Sequence, residues 1–221
     1  MHSGIPESVK GQIWMRILDI EAARTQYASN IYSKLCELPN QQASADIKKD
    51  VERTMGQLKL WSEDLLGGNN KLFNVLMAYA NFDREIGYVQ GMNYIVALLL
   101  FYIRDEEQVF WCLHQVMAKY NWRLVFKSGF PKLHQLTSQL EKRLRAEQPQ
   151  ILEHLEENFL VIEGTFAGHF MTFGLNCCPL EISSRLFDVF VLDGEKSLLK
   201  VLLRMFELKQ RAVLAREDTD L

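Results

Sequence analysis

Apolar residues recur three or four positions apart along most of the chain, and the period-2 alternation of a half-buried strand is absent. Pro6 and Glu7 suit a helix start, and Ile13, Trp14, Ile17 and Leu18 follow as a first apolar stripe. A second helix is predicted from about Tyr27 to Leu38, where Pro39 stops it. After a polar loop, Asn40 to Ala43, Ser44 is the predicted N-cap of a helix carrying Ile47, Val51, Met55 and Leu58 and running to about Leu66. Gly67-Gly68-Asn69-Asn70 ends that helix and starts the next, whose stripe is Leu72, Val75, Leu76 and Tyr79. Met92 to Ile103 is almost continuously apolar. It is about a dozen residues long, against the roughly 20 needed to span a bilayer, and Arg104-Asp105-Glu106-Glu107 closes it, which predicts a buried helix.

Val109, Phe110, Leu113, Val116, Met117 and Tyr120 form a further stripe. Phe130-Pro131 opens a helix with Leu133, Leu136, Leu140 and Leu144, and Pro149 opens one carrying Leu152, Leu155 and Phe159. Pro149 breaks this leucine run after little more than two heptads, so packing within a helical domain explains it better than a coiled coil. From Thr165 onward the pattern predicts three or four more helices, broken near Asn176-Cys177-Cys178-Pro179 and at Asp193-Gly194. The expected fold is all-α, one multi-helix unit with no sheet, no internal repeat and no linker to divide it.

Composition narrows the chemistry. Nearly half of the 221 residues are hydrophobic and the net charge is −3, which leaves no basic footprint for nucleic acid. Cys36, Cys112, Cys177 and Cys178 contain no Cys-x-x-Cys pair, which fits a reducing compartment. With no signal-peptide pattern at the N-terminus, the expectation is a cytoplasmic protein without direct membrane insertion. The five histidines include no pair spaced for zinc or di-iron, and His154 with Glu157 reads as a surface contact, so no metal is expected. There is no Gly-x-Ser-x-Gly elbow, and Gly67-Gly68-Asn69-Asn70 lacks the Gly-Lys-Ser/Thr ending of a phosphate loop. Covalent catalysis and nucleotide binding by the chain itself are not expected.

Two short blocks carry the functional signal. On the Ile47-Lys48-Lys49-Asp50-Val51-Glu52-Arg53-Thr54 helix, Asp50 and Arg53 are neighbours at i and i+3, so the carboxylate can aim the guanidinium fork. Alone, such a pair is usually a solvated ion pair contributing a few tenths of a kcal/mol. In Gly87-Tyr88-Val89-Gln90-Gly91-Met92-Asn93 the glycines predict a sharp turn that presents Gln90 at a helix entrance; alone, this is a loop.

Together the blocks resemble the signature motifs of the TBC domain, the catalytic domain of Rab GTPase-activating proteins: Ile-x-x-Asp-x-x-Arg-Thr at Ile47, Asp50, Arg53 and Thr54, and Tyr-x-Gln-Gly-x-Asn at Tyr88, Gln90, Gly91 and Asn93. Gly4-Ile5-Pro6 through Trp14 resembles the family's opening block, with Lys10 where arginine is usual. Cys178-Pro179-Leu180-Glu181, Arg185 to Phe190 and Asp193-Gly194-Glu195 resemble a later block, with Phe187 for a usual tryptophan. The resemblance spans nearly the whole chain. It implies a TBC domain over residues 1–221 that lacks the family's terminal helices, because relatives generally continue beyond Leu214.

The resemblance also implies a role for each motif residue. Arg53 would be an arginine finger and Gln90 a glutamine finger, both acting in trans on a GTP-bound Rab-family GTPase. Asp50 would position Arg53, Tyr88 and Asn93 would shape the loop or touch the GTPase, and Thr54 and Gly91 would be mainly structural. The chain would need no cofactor, since the GTP and Mg belong to the partner, and it would activate an enzyme without being one. Partners could recruit it peripherally to endomembranes. Met55-Gly56-Gln57, where the family has an aromatic and a proline, implies a differently shaped segment after the finger. Two rival readings are a catalytically weak Rab-binding or scaffolding module with the same fold, and an α-helical adaptor that matches the motifs by chance.

Overall fold

The computed structural model describes residues 4–57 and 69–216. These form an all-α protein, with no strand among the described residues. After a 3-10 turn at Glu7–Val9, the first helices are α1 (Lys10–Leu18), α2 (Ile20–Arg24), α3 (Ile31–Glu37) and α4 (Gln41–Gln57). They are followed by α5 (Asn69–Phe82), α6 (Met92–Ile103), α7 (Glu106–Lys119), α8 (Arg123–Phe126) and α9 (Pro131–Glu147). The last are α10 (Pro149–Glu157), α11 (Ile162–Thr172), α12 (Leu180–Asp193) and α13 (Glu195–Leu214). The predicted extension of the Arg53 helix to Leu66, with Leu58 and Gly67-Gly68, lies outside the described residues.

The apolar run at α6 is the hub. Every residue from Met92 to Leu100 is buried, so this helix needs partners all round, and it finds them in α1, α4, α5, α7, α11 and α12. Each Leu-sized side chain removed from water there contributes about 1.5–3 kcal/mol. The helix stops at Arg104, which is left-handed (φ 63°), and Asp105 caps the next by accepting from the Gln108 amide at 2.8 Å. Leu133, Leu136, Leu140 and Leu144 of α9 are buried against neighbours that include α11 and α13.

Buried polar contacts tie α1 to α12. The Lys10 ammonium, 1% exposed, lies 3.0 Å from Asp188 Oδ2, Glu7 Oε1 and Ser184 Oγ, so each of its three donors has a partner. Trp14 Nε1 donates to Asp188 Oδ1 at 2.8 Å, and its ring packs edge-on against Phe187, which fills the position of the usual tryptophan with no exposed surface.

Three local expectations are corrected. The N-cap of α4 is Asn40, whose Oδ1 accepts from the Ala43 amide at 3.1 Å, so the expected polar loop is the cap and first turn and Ser44 lies inside the helix. Asn40 wins because its amide also donates to Asn81 Oδ1 on α5, a tertiary anchor that Ser44 lacks. The second helix, α3, is shorter than expected: Tyr27 lies outside it and packs edge-on against Phe82 and tilted against Trp111. Phe159 is not a core residue. The α10 helix closes with Phe159 left-handed (φ 58°) and the Leu160 amide bonded to the Leu155 carbonyl, which turns the phenyl ring outward to 89% exposure.

Candidate functional site

Both motifs meet on one face of α6. In α4, Ile47 and Val51 pack into the core, which sends Asp50 to the boundary and Arg53 to the surface. The Arg53 side chain is 56% exposed, and its Nη1 lies 3.4 Å from Oδ1 of the largely buried Asp50, a loose pair that biases direction while leaving the guanidinium in solvent. The other Asp50 oxygen accepts from the Tyr88 hydroxyl at 2.8 Å, the first link between the two motifs. Burial, and then this carboxylate, push the Tyr88 hydroxyl well above its ordinary pKa, so it remains a donor at physiological pH.

A second link runs beneath. Thr54 donates to the Asp50 carbonyl at 2.6 Å, Asn93 Nδ2 donates to Thr54 Oγ1 at 2.6 Å, and Asn93 Oδ1 accepts from the Gly91 amide at 2.8 Å. One buried amide therefore joins the α4 helix to the Gln90 loop. Asn93 is 2% exposed, so its place is inside the loop. Gly91 is required on two counts: its φ is 108°, and a Cβ there would lie 3.3 Å from Met171 Cβ and 3.4 Å from Phe126 Cε1.

Gln90 is exposed. With Arg53 it lines a cleft of about 560 Å³, whose walls include Val89, Tyr94, Phe130 and Met171, with Asn176 at the α11 side. The cleft is mostly apolar with an exposed guanidinium and an exposed amide, the arrangement of a surface that receives a partner and directs two polar heads at it. Sequence reasoning did not find Tyr94, Phe130, Met171 or Asn176. They come from four separate segments and carry no local spacing that marks them.

Among the described residues no group of three or more His, Cys, Asp or Glu could hold a metal ion, and no helix is long and apolar enough to cross a membrane.

A family model described as the Rab-GTPase-TBC domain matches residues 7–214. The human "Ecotropic viral integration site 5 protein homolog" is 29% identical over 210 residues, covering 95% of this chain and 25% of that protein. The "GTPase-activating protein GYP5" of Eremothecium gossypii is 30% identical over 217 residues, covering 98% of this chain and 25% of that protein. The chain thus spans about a quarter of the length of these curated relatives. The crystal structure of the Chlamydomonas flagellar RabGAP TBC domain superposes with a TM-score of 0.83 at 24% identity, covering 98% of this chain and 72% of that one. With an all-α fold and a family model that matches residues 7–214, the chain belongs to the Rab-GTPase-TBC domain family.

Proposed function

We propose that this chain is a GTPase-activating domain that stimulates GTP hydrolysis by a Rab-family small GTPase, with Arg53 and Gln90 supplied in trans. The observation that carries the reading is that these two side chains, 37 positions apart, line one exposed cleft. Hydrolysis on a small GTPase is slow because charge builds on the phosphate oxygens and the attacking water is poorly placed. An arginine inserted from outside stabilises that charge and is worth roughly 10³–10⁵ in rate. A glutamine amide orients the water by donating one hydrogen bond and accepting another.

In this reading Arg53 is the arginine finger. Its exposure leaves the guanidinium free to enter a partner, and the Asp50 pair, braced by Tyr88, sets its starting direction. Gln90 acts as the glutamine finger from a loop fixed by Gly91 and Asn93, while Thr54 ties that loop to α4. GTP and Mg arrive with the Rab, and the chain contributes no cofactor or metal. It serves as a cytoplasmic TBC domain over residues 1–221, brought to endomembranes by its partners.

The test is single-turnover GTP hydrolysis across a panel of purified GTP-loaded Rabs, with the native chain beside Arg53→Ala and Gln90→Ala. The expected outcome is strong acceleration of at least one Rab, with each substitution removing about 10²-fold or more of the effect. Binding of a GTP-loaded Rab without acceleration would assign the chain to the scaffolding class instead.

A further inference from the structure

We propose that Arg123 is a positioning residue for Gln90, acting through a clamp on the upstream end of the Gln90 loop. The inference deepens the GTPase-activating reading and rests on it for the role of Gln90. The downstream end of the loop is fixed by Gly91, Asn93 and Thr54, as described. The upstream end begins at Asp83, directly after α5, and there the backbone turns back on itself: the Gly87 amide donates to the Asp83 carbonyl at 2.7 Å and the Ile86 amide to the same oxygen at 3.2 Å. A turn of this kind in solvent is held weakly, because water competes for both amides.

Arg123 removes that freedom. Its Nε donates to Asp83 Oδ2 at 2.5 Å and its Nη2 to Asp83 Oδ1 at 2.9 Å, a two-pronged fork on one carboxylate. Nη2 also reaches Glu85 within the turn, and Lys127 Nζ lies 2.8 Å from the other Glu85 oxygen. The Asp83 side chain is further engaged by the Tyr79 hydroxyl and the Ile86 amide, both at 3.4 Å. Isolated exposed ion pairs contribute little, but a planar fork joined to a network of charges is the case in which geometry is enforced. The Arg123 side chain is 28% exposed and the Asp83 side chain 13%, so the pair is partly shielded from solvent.

What makes the clamp a positioning device is the short helix that carries it. The α8 segment is seated by Trp122, Val125 and Phe126, all buried. Its first residue grips Asp83 and Glu85 at the start of the loop, and its last, Phe126, lies against Gly91 at the loop's end. The loop from Asp83 to Gly91 is therefore stretched over α8 with contacts at both limits, and Gln90 stands one residue from the second. Loss of the first contact leaves the upstream side of Gln90 held only by the Tyr88–Asp50 bond and the packing of its neighbours. Displacement of a reacting group by about 1 Å can cost on the order of 10²-fold in rate, so the clamp acts on the chemical step more than on docking.

The experiment combines Arg123→Ala and Arg123→Lys with Gln90→Ala and Arg53→Ala, read by single-turnover hydrolysis on the accelerated Rab and by amide hydrogen exchange of the free chain. Arg123→Ala should lower kcat about 10-fold with KM within about 2-fold. Arg123→Lys, which keeps the charge and loses the fork, should recover only part of the loss. Arg123→Ala should add nothing in the Gln90→Ala background and keep its full effect in the Arg53→Ala background, since residues acting through one another are not additive. In the free chain, exchange of the Ile86 and Gly87 amides should accelerate at least 10-fold while α6 amides are unchanged. Equal losses in both backgrounds, or an unchanged exchange rate at Ile86 and Gly87, would overturn the proposal. If the native chain accelerates no Rab, the functional reading fails; the exchange result still decides whether Arg123 holds the loop.

Discussion

Arg53 stands on a helix and is steered by one 3.4 Å ion pair, whereas Gln90 stands on a loop whose two ends are both tied down. A helix already fixes its backbone, so a side chain on it needs only a directional bias and can keep its freedom to extend. A loop has no such frame, and its position must come from contacts made elsewhere in the chain. The support of Gln90 is therefore spread over α5, α6, α8 and α11, while that of Arg53 is local to α4 and Tyr88.

The comparison can be broken most sharply at Asn93. Asn93→Ala leaves the Gly91 amide without its acceptor and the Thr54 hydroxyl without its donor, both in the interior, and should destabilise the chain by about 2–3 kcal/mol in a denaturant titration. An unchanged midpoint would show that the joint between the motifs is weak. Next come the two glycines. Gly91→Ala meets both a positive φ and the Met171 and Phe126 side chains and should cost about 2 kcal/mol. Gly87→Ala, at φ 65° with open space around it, should cost only about 1 kcal/mol by the same measurement.

Tyr88→Phe removes one bond to Asp50 and should cost about 1 kcal/mol, with a few-fold loss of stimulated hydrolysis because the Arg53 bias is relaxed. The smallest effect is the response of the clamp to acid. The Lys127 bond, and then Arg123, hold the Glu85 carboxyl at about 2, and Asp83 is also below its ordinary value, its burial outweighed by the Arg123 bonds. Because both are depressed, their contribution is complete above the unfolded pKa values and is lost as pH falls, for Glu85 between about 4.5 and about 2. Protection of the Ile86 and Gly87 amides, corrected for intrinsic exchange, should be flat above about pH 5 and decline below it. A decline centred near neutrality would point to a different group.

Periodic helices were legible because burial follows spacing. Leu133, Leu136, Leu140 and Leu144 are all buried, as are Ile47 and Val51. The misread ends have different causes, one tertiary and one local. Asn40 and Ser44 are equally good caps by residue type, and only Asn81, brought in from α5, decides between them. Phe159 continues a leucine stripe by spacing, but α10 has already closed when the chain reaches it. At the site, the motif residues lie within two short blocks and could be read directly. Arg123, Met171 and Asn176 join them only through tertiary packing, and no spacing in the chain announces that.

The Lys10 anchor sets an order for the chain's synthesis. Asp188 and Trp14, like Lys10 and Ser184, are separated by 174 residues. At roughly 5–20 residues per second, α1 leaves the ribosome about nine to thirty-five seconds before its buried partner Asp188 exists. Glu7 can pair with the Lys10 ammonium from the start, but the buried Asp188 partner and the Trp14 bond are missing, so the side of the first helix that meets α12 stays uncovered until α12 has emerged. A nascent chain arrested ahead of α12 would carry both motifs intact and still lack the contact that closes its N-terminal helix into the core.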